Sequence, residues 1–285
     1  MIYISKFLFP HIEKEYDFLI SLKRTCYDNI YPFQILSKHH LMELNFEPIT
    51  ILYGGNGSGK TTVLNVMAET LKLKRDTLYN RSNFFEDYVR LCDYEALGKI
   101  PGNSRIVTSD DVFDYIMNIR AVNEGVDRKR EELFEEYLNL KYQKFQMRSL
   151  DDYEKLKKIN QARSRTQSKF VRENLTDNIR EQSNGESAFF YFTEKVEENG
   201  LYLLDEPENS LAPDRQEELA EYIYNSARFF GCQFVISTHS PFFLAIPGAR
   251  IYDMDEEIVD IKKWYELSNV RVYYEFFMKH GDEFL

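Results

Sequence analysis

Ile49-Thr50-Ile51-Leu52-Tyr53-Gly54-Gly55-Asn56-Gly57-Ser58-Gly59-Lys60-Thr61-Thr62 decides how the rest of the chain is read. A β-branched apolar run stops at glycines and passes into Val63-Leu64-Asn65-Val66-Met67, which carries a helical pattern. That strand, loop and helix context turns G-x-x-x-x-G-K-T from a string into a phosphate site. Glycines let the backbone curl so that successive N–H groups converge, and the following helix adds its unpaired N-terminal donors and positive dipole end. Residues Gly54, Gly55, Asn56, Gly57, Ser58, Gly59, Lys60, Thr61 and Thr62 are therefore expected to bind a nucleoside triphosphate. Lys60 is expected to reach the β- and γ-phosphates and Thr61 to place its hydroxyl on Mg²⁺.

Two later strand ends supply the partners such a site needs. Gly200-Leu201-Tyr202-Leu203-Leu204-Asp205-Glu206-Pro207-Glu208-Asn209 reads as an apolar strand ending in carboxylates, and the carboxyl ends of buried strands are where α/β sheets place ligands. Asp205 is expected to hold Mg²⁺ through water, and Glu206 to orient or deprotonate the attacking water. Gln233-Phe234-Val235-Ile236-Ser237-Thr238-His239-Ser240-Pro241 is a second such strand. A lone His239 would more often be structural, but past a strand end beside the two sites above it reads as a sensor of the γ-phosphate.

Between these stretches lies Glu181-Gln182-Ser183-Asn184-Gly185-Glu186-Ser187-Ala188, a small-residue turn entering an apolar helix at Phe189. It offers a second set of helix N-terminal donors; taken alone, the simpler reading is an N-cap supplied by Ser183 or Ser187.

The remainder bounds the setting. The chain of 285 residues suits one large α/β domain with an insertion. A net charge of −11 argues against a surface that coats nucleic acid throughout. Cys26, Cys92 and Cys232 show no metal-ligand spacing, so reduced thiols in the cytoplasm are expected. Neither a signal peptide at the first residues nor a run of about 18 apolar residues is seen. Ile2 to Phe9 is expected as a strand with Asp17 to Leu22 returning beside it, and the aromatics of Tyr31-Pro32-Phe33 are candidates for the nucleotide base, although aromatics more often serve the core.

Helical periodicity dominates from about 84 to 180, broken by the turn cluster Gly98 to Asn103 and a short candidate strand at Ser104 to Thr108. Asp127 to Leu140 carries one apolar stripe. Lys141 to Arg172 then holds ten Lys or Arg against three acidic residues: Lys141, Lys144, Arg148, Lys155, Lys157, Lys158, Arg163, Arg165, Lys169 and Arg172. That segment is either a patch for nucleic acid or an acidic partner, or a solvated face that pairs with acidic surface, and the second reading is the simpler.

The ordered set GGNGSGKTT, SNGES, YLLDEPENSL and ISTHSP resembles the ABC-type ATPase superfamily, on the branch of the chromosome-structure and double-strand-break-repair ATPases. More narrowly, Tyr31-Pro32-Phe33, Gln182-Ser183-Asn184-Gly185-Glu186-Ser187 and Pro247-Gly248-Ala249-Arg250-Ile251-Tyr252 resemble the bacterial stand-alone ATPases of the AAA family. The likeness runs from residue 1 to about 265. It implies an α/β P-loop NTPase fold of the ABC-ATPase kind: a single domain over residues 1–285, with a β-rich N-terminal part and a helical subdomain inserted at about 84–180. It also implies ATP and Mg²⁺ as ligands, Asp205 as the Walker B carboxylate, Glu206 as catalytic base and His239 as switch histidine. Two copies are implied to sandwich two ATP, with Ser183, Gly185 and Glu186 of one closing over the γ-phosphate held by the other.

Two departures bear on turnover. No glutamine occurs from Thr62 to Tyr142, so the usual magnesium-touching Gln is missing, with Thr108, Ser109 or Asp110 as substitutes; the usual D-loop aspartate is Ala212. Slow or partner-dependent hydrolysis is the expectation. The resulting reading is an ATP-driven homodimeric switch acting on a DNA-related or defence-related partner. A transporter's ATP-binding subunit, or a nucleotide-binding regulatory module with little turnover, are the alternatives.

Overall fold

The structure, a computed structural model, describes residues 1–23, 27, 29–144, 153–175 and 183–284. Cys26, Arg148 and Gln182 lie outside them. The chain divides into two compact units, residues 1–112 with 184–285, and residues 113–183.

In the first unit, β1 (Ile4–Leu8) lies between β2 (Glu43–Asn45) and β4 (Asp93–Ala96) in a small antiparallel sheet. The main sheet has the order β5 (Arg105–Thr108), β6 (Leu201–Asp205), β7 (Gln233–Ser237), β3 (Ile49–Tyr53), β8 (Arg250–Asp253), β9 (Asp260–Lys262) among the described residues. All neighbours are parallel except β8 and β9. Every residue of β3, β6 and β7 is buried, which is why these strands read as unbroken apolar runs rather than as alternation. The register pairs Thr108 with Asp205, Asp205 with Ser237, and Ser237 with Leu52, so the ends of four strands meet at one edge. Buried Gln233 joins the two sheets: its Oε1 accepts from the N–H groups of Tyr3 (2.7 Å) and Ile4 (3.0 Å), and its Nε2 donates to Ile4 O at 2.9 Å.

Helices α1 (Ile12–Ser21), α2 (Lys60–Thr70) and α3 (Phe85–Leu91) belong to this unit, and α4 (Ser109–Tyr142) starts from it. Asp17 to Leu22 does not return as a strand. Phe18, Leu19 and Leu22 fall at helical spacing and pack against the core, Phe18 stacking on Phe33 at 4.8 Å. β1 finds its partners in β2 and in β4, a strand inside the region expected to be helical. Since β4 and β5 both pair within the first unit, the compact helical unit begins at Phe113 rather than near residue 84.

That unit contains most of α4, α5 (Tyr153–Ser164) and α6 (Gln167–Asn174), around Leu133, Tyr137, Leu140, Ile159, Ala162, Phe170 and Val171. In α4, Leu138 is 47% exposed and stands outside that cluster. After residue 183 follow α7 (Asn184–Lys195), α8 (Pro213–Phe229), the short α9 (Pro241–Leu244) and α10 (Ser268–Lys279). No helix among the described residues is long and apolar enough to cross a membrane.

Candidate nucleotide site

The loop after β3 is built for close approach. Gly57 and Gly59 have φ of +87° and +93°, a region L-residues rarely adopt. A Cβ on Gly59 would also stand 3.2 Å from Leu36 Cδ2. Gly59 precedes the first turn of α2, and Val63 N donates to its carbonyl at 2.9 Å. Lys60 is buried, its ammonium donating to Gly54 O (2.6 Å) and Gly55 O (2.9 Å). Two of its three donors thus hold the loop in a ring. A cavity of about 320 Å³ is lined by residues 56–62, Ile35 and Glu206.

The two carboxylates have different settings. Asp205 is buried at the end of β6, where its Oδ1 accepts from Thr61 Oγ1 at 3.2 Å and from the hydroxyl of Ser237. Burial pushes its carboxyl up, while the hydrogen bonds from Ser237 and Thr61 pull it down. Glu206, the next residue, takes a left-handed φ of +49°, a conformation that persists only where surroundings enforce it. Here its N–H donates to Ser237 O at 3.0 Å, and its Oε2 accepts from Asn209 Nδ2 at 3.1 Å. An oxygen-donor pair of one hydroxyl and one carboxylate, with room for a triphosphate alongside, suits Mg²⁺, which is held through few protein oxygens plus phosphates and water. The residues present therefore fit both ATP and Mg²⁺.

A neighbouring cavity of about 490 Å³ contains Thr61 and Asp205 together with Thr108, Ser109 and Asp110. The hydroxyl of Thr108 is committed to Asp111 Oδ2 at 2.9 Å. Arg75 lines the same cavity and was not foreseen. Its guanidinium lies 4.2 Å from the Tyr79 ring and bonds Asn65, while Nε and Nη1 are buried without a partner among the described residues. In the sequence it is one arginine in an irregular polar stretch and carries no signal.

Tyr31 lines this cavity and its hydroxyl donates to Thr62 Oγ1 at 3.2 Å, whereas Phe33 is core, packed on Phe18 and Tyr88. Of the Tyr31-Pro32-Phe33 aromatics, only Tyr31 is thus placed beside the nucleotide loop.

His239 lines a third cavity, about 480 Å³, with Gly54, Gly55 and Asn56. Asp255, also unforeseen, holds this side of the loop by accepting from Gly55 N at 2.7 Å. A signal existed, since a carboxylate just past a buried strand is the same pattern that pointed to Asp205.

Ser183 is exposed and directly precedes α7, while Ser187 is buried inside that helix and is no N-cap. A Cβ on Gly185 would stand 3.2 Å from Ser210 O, and Ser210 itself has φ of +69°. Gly185 and Glu186 line none of the three cavities above. Ala212 occupies the N-cap of α8 with no side-chain cap bond. Cys92 and Cys232 are free thiols, both pushed up by burial and so poorly reactive.

Residues 65–245, more than half of the chain, match the family described as "AAA domain, putative AbiEii toxin, Type IV TA system". The chain belongs to this family. Its loop after β3, residues 54–61, carries the P-loop sequence of nucleotide-binding proteins. No curated protein matches it. Among solved structures, the Smc head domain with an extended coiled coil bound to the C-terminal domain of ScpA, from Pyrococcus furiosus, is 14% identical with a TM-score of 0.42, covering 97% of this chain and 100% of that one. A nucleotide-free ATP-binding cassette from an ABC transporter is also 14% identical, with a TM-score of 0.39 and coverage of 82% and 87%.

Proposed function

We propose that this family member hydrolyses ATP with Mg²⁺ and works as an ATP-sandwiched homodimer that passes its nucleotide state to a DNA-related or defence-related partner. The observation that carries the reading is the contact of Thr61 Oγ1 with Asp205 Oδ1, 3.2 Å apart, next to a loop cavity that also receives Glu206. In this reading residues 54–62 cradle the triphosphate, Thr61 and Asp205 hold Mg²⁺, and Ser109 or Asp110 stands in for the absent glutamine. Bound Mg²⁺ supplies neutralisation of charge on the β- and γ-phosphates.

Glu206 accepts the proton of the attacking water, and Asn209 keeps its carboxylate in place through Oε2. His239 contacts the γ-phosphate. Ser183, Gly185 and Glu186 act from the second copy: a bare γ-phosphate is incompletely neutralised by one helix end, and a second donor array completes the cage only when ATP is present. The inserted helical subdomain relays the change. Alanine at position 212 and the lost glutamine make the reaction slow.

The test is ATP hydrolysis by the pure chain with Mg²⁺, with mass recorded alongside, with and without double-stranded DNA. Glu206→Gln is expected to lower turnover at least about 100-fold and to trap an ATP-bound dimer. Unchanged turnover and mass would remove Glu206 as the base. Stimulation by DNA that falls steeply with salt identifies a nucleic-acid partner, and indifference to DNA identifies a protein. A turnover above about 10 per second, typical of enzymes generally, would refute the slow-turnover part.

A further inference from the structure

Glu208 lies two residues beyond Glu206, and the reaction as described gives it nothing to do. Its side chain is 5% exposed, a place where a carboxylate survives only if partners replace its water. All its partners belong to the histidine segment. Oε1 accepts from Thr238 Oγ1 at 2.7 Å and from the main-chain N–H of His239 at 2.9 Å, and lies 3.5 Å from His239 Nδ1. Oε2 is buried with no hydrogen-bond partner among the described residues. Stapling two donors needs one neutral acceptor. A carboxylate adds a negative charge beside the imidazole, which a neutral staple would lack.

The same peptide is held from its other side by α10. Asn269 Nδ2 donates to His239 O at 3.0 Å, while Asn269 N donates to Tyr53 OH at 3.1 Å and Ser268 Oγ meets that hydroxyl at 3.0 Å. Tyr53 is the last residue of β3, directly before the glycine loop. The backbone of His239 is thus fixed on both sides relative to the loop. Its ring is 45% exposed in the cavity it shares with Gly54, Gly55 and Asn56.

We propose that Glu208 is the positioning residue of His239, holding the imidazole with its proton on Nδ1 so that Nε2 is the nitrogen presented to the nucleotide. A carboxylate on one ring nitrogen sets the tautomer and leaves the other nitrogen for the ligand. Nε2 then accepts from the water that Glu206 activates, or, once the ring is protonated, donates to a γ-phosphate oxygen. The inference rests on the reading of His239 as the γ-phosphate contact and names the ring atom that makes it.

The experiment uses the whole chain with ¹⁵N in its histidine rings, recorded by long-range ¹H–¹⁵N NMR above the titration of the rings, with His239 assigned by its loss in His239→Gln. In the unaltered protein, Nδ1 of His239 is expected at the protonated end of the imidazole range and Nε2 at the unprotonated end. Glu208→Gln keeps an acceptor for Thr238 and the His239 N–H, so its melting should match the parent, while loss of the charge beside the ring weakens the preference for a proton on Nδ1 and moves both ring signals toward the middle of the imidazole range. In the ATPase assay the same variant is expected to lose about 10- to 100-fold in kcat, as for other partners that orient a histidine, with KM for ATP nearly unchanged. Glu208→Asp should restore part of both.

Ring signals identical in the parent and Glu208→Gln, or a parent already protonated on Nε2, would overturn the proposal. So would a Glu208→Gln protein that melts far below the parent, because the role would then be structural. If the pure chain does not hydrolyse ATP at all, the kinetic arm falls with the functional reading, and the ring signals still decide the role of Glu208.

Discussion

Every residue of β3, β6 and β7 is buried, whereas the helices of residues 113–183 bury one stripe each and leave a solvated face. In the sheet, burial on both faces removes any choice of register, and the strand ends become fixed points from which Thr108, Asp205, Ser237 and the glycine loop are hung. In the helical unit the polar faces are tied by local pairs, Lys158 with Glu136 and Arg165 with Glu173. Arg163 donates to Gln143 O at 2.8 Å and Lys141 to Tyr137 OH at 2.6 Å. Two cations of the basic segment, Lys158 and Arg165, are therefore paired with carboxylates inside their own unit, which reduces the charge available to a nucleic acid. A sheet of this kind positions chemistry, while an amphipathic bundle can vary its surface at little cost to its core.

The comparison breaks first, if it breaks, at Lys60. Lys60→Ala removes the buried ammonium that closes the loop and is expected to lower kcat/KM for ATP by about 100- to 1000-fold, measured by phosphate release. Turnover like that of the unaltered chain would move the site away from the sheet edge. In the helical unit, Ile159→Ala empties a position that is 1% exposed and should destabilise that unit by about 2–5 kcal/mol. Hydrogen exchange should show the loss confined to residues 113–183, with ATP affinity unaltered. A parallel loss of ATP affinity would show that the two units are energetically one.

Arg75 sharpens the account of the sheet edge. Arg75→Ala should weaken ATP binding about 10-fold, as expected when a charged hydrogen-bond donor is lost, by calorimetry. Unchanged affinity would assign the guanidinium to Tyr79 and Asn65 alone.

The smallest effect is expected at Glu15, buried on α1, whose Oε2 accepts from Gln34 N at 2.7 Å and Ser37 Oγ at 3.0 Å. Burial raises its carboxyl, against the pull of these bonds. The folded protein then binds more protons here than the unfolded chain, so this group's contribution to stability falls as pH rises through its folded value. Glu15→Gln should remove that slope and leave the protein equal to or up to about 1 kcal/mol more stable near neutral pH, read from melts across pH. A loss of stability at neutral pH would show that the charge itself is needed.

The β3 loop and the β6 and β7 ends were legible because each is a local event: an apolar run cut short by glycine, carboxylate or hydroxyl. The stretch Asp17 to Leu22 was not, since a short apolar run fits strand or helix equally and its contact with Phe33 decided it. β4 was missed for a similar reason. Its four residues are all exposed and carry no period, and only pairing with β1 makes them a strand. Glu208 was missed because its partners are remote in sequence; Asp255 carries the strand-end signal that pointed to Asp205, but its partner Gly55 is equally remote; Arg75 contacts nearby Asn65 and Tyr79 and stands in a polar stretch without a pattern.

By itself, the sequence determined that a glycine loop between a strand and a helix, a carboxylate pair at a strand end and a histidine segment exist, and in which order. These are properties of consecutive residues, where backbone freedom, charge and apolar run length are written locally. The tertiary structure alone decided which residues join them: Asp255 on Gly55, Arg75 in the cavity that Asp205 lines, Glu208 beneath His239. Such contacts arise only when parallel strands distant along the chain are brought into register, and register is set by the burial of the whole sheet rather than by any one segment.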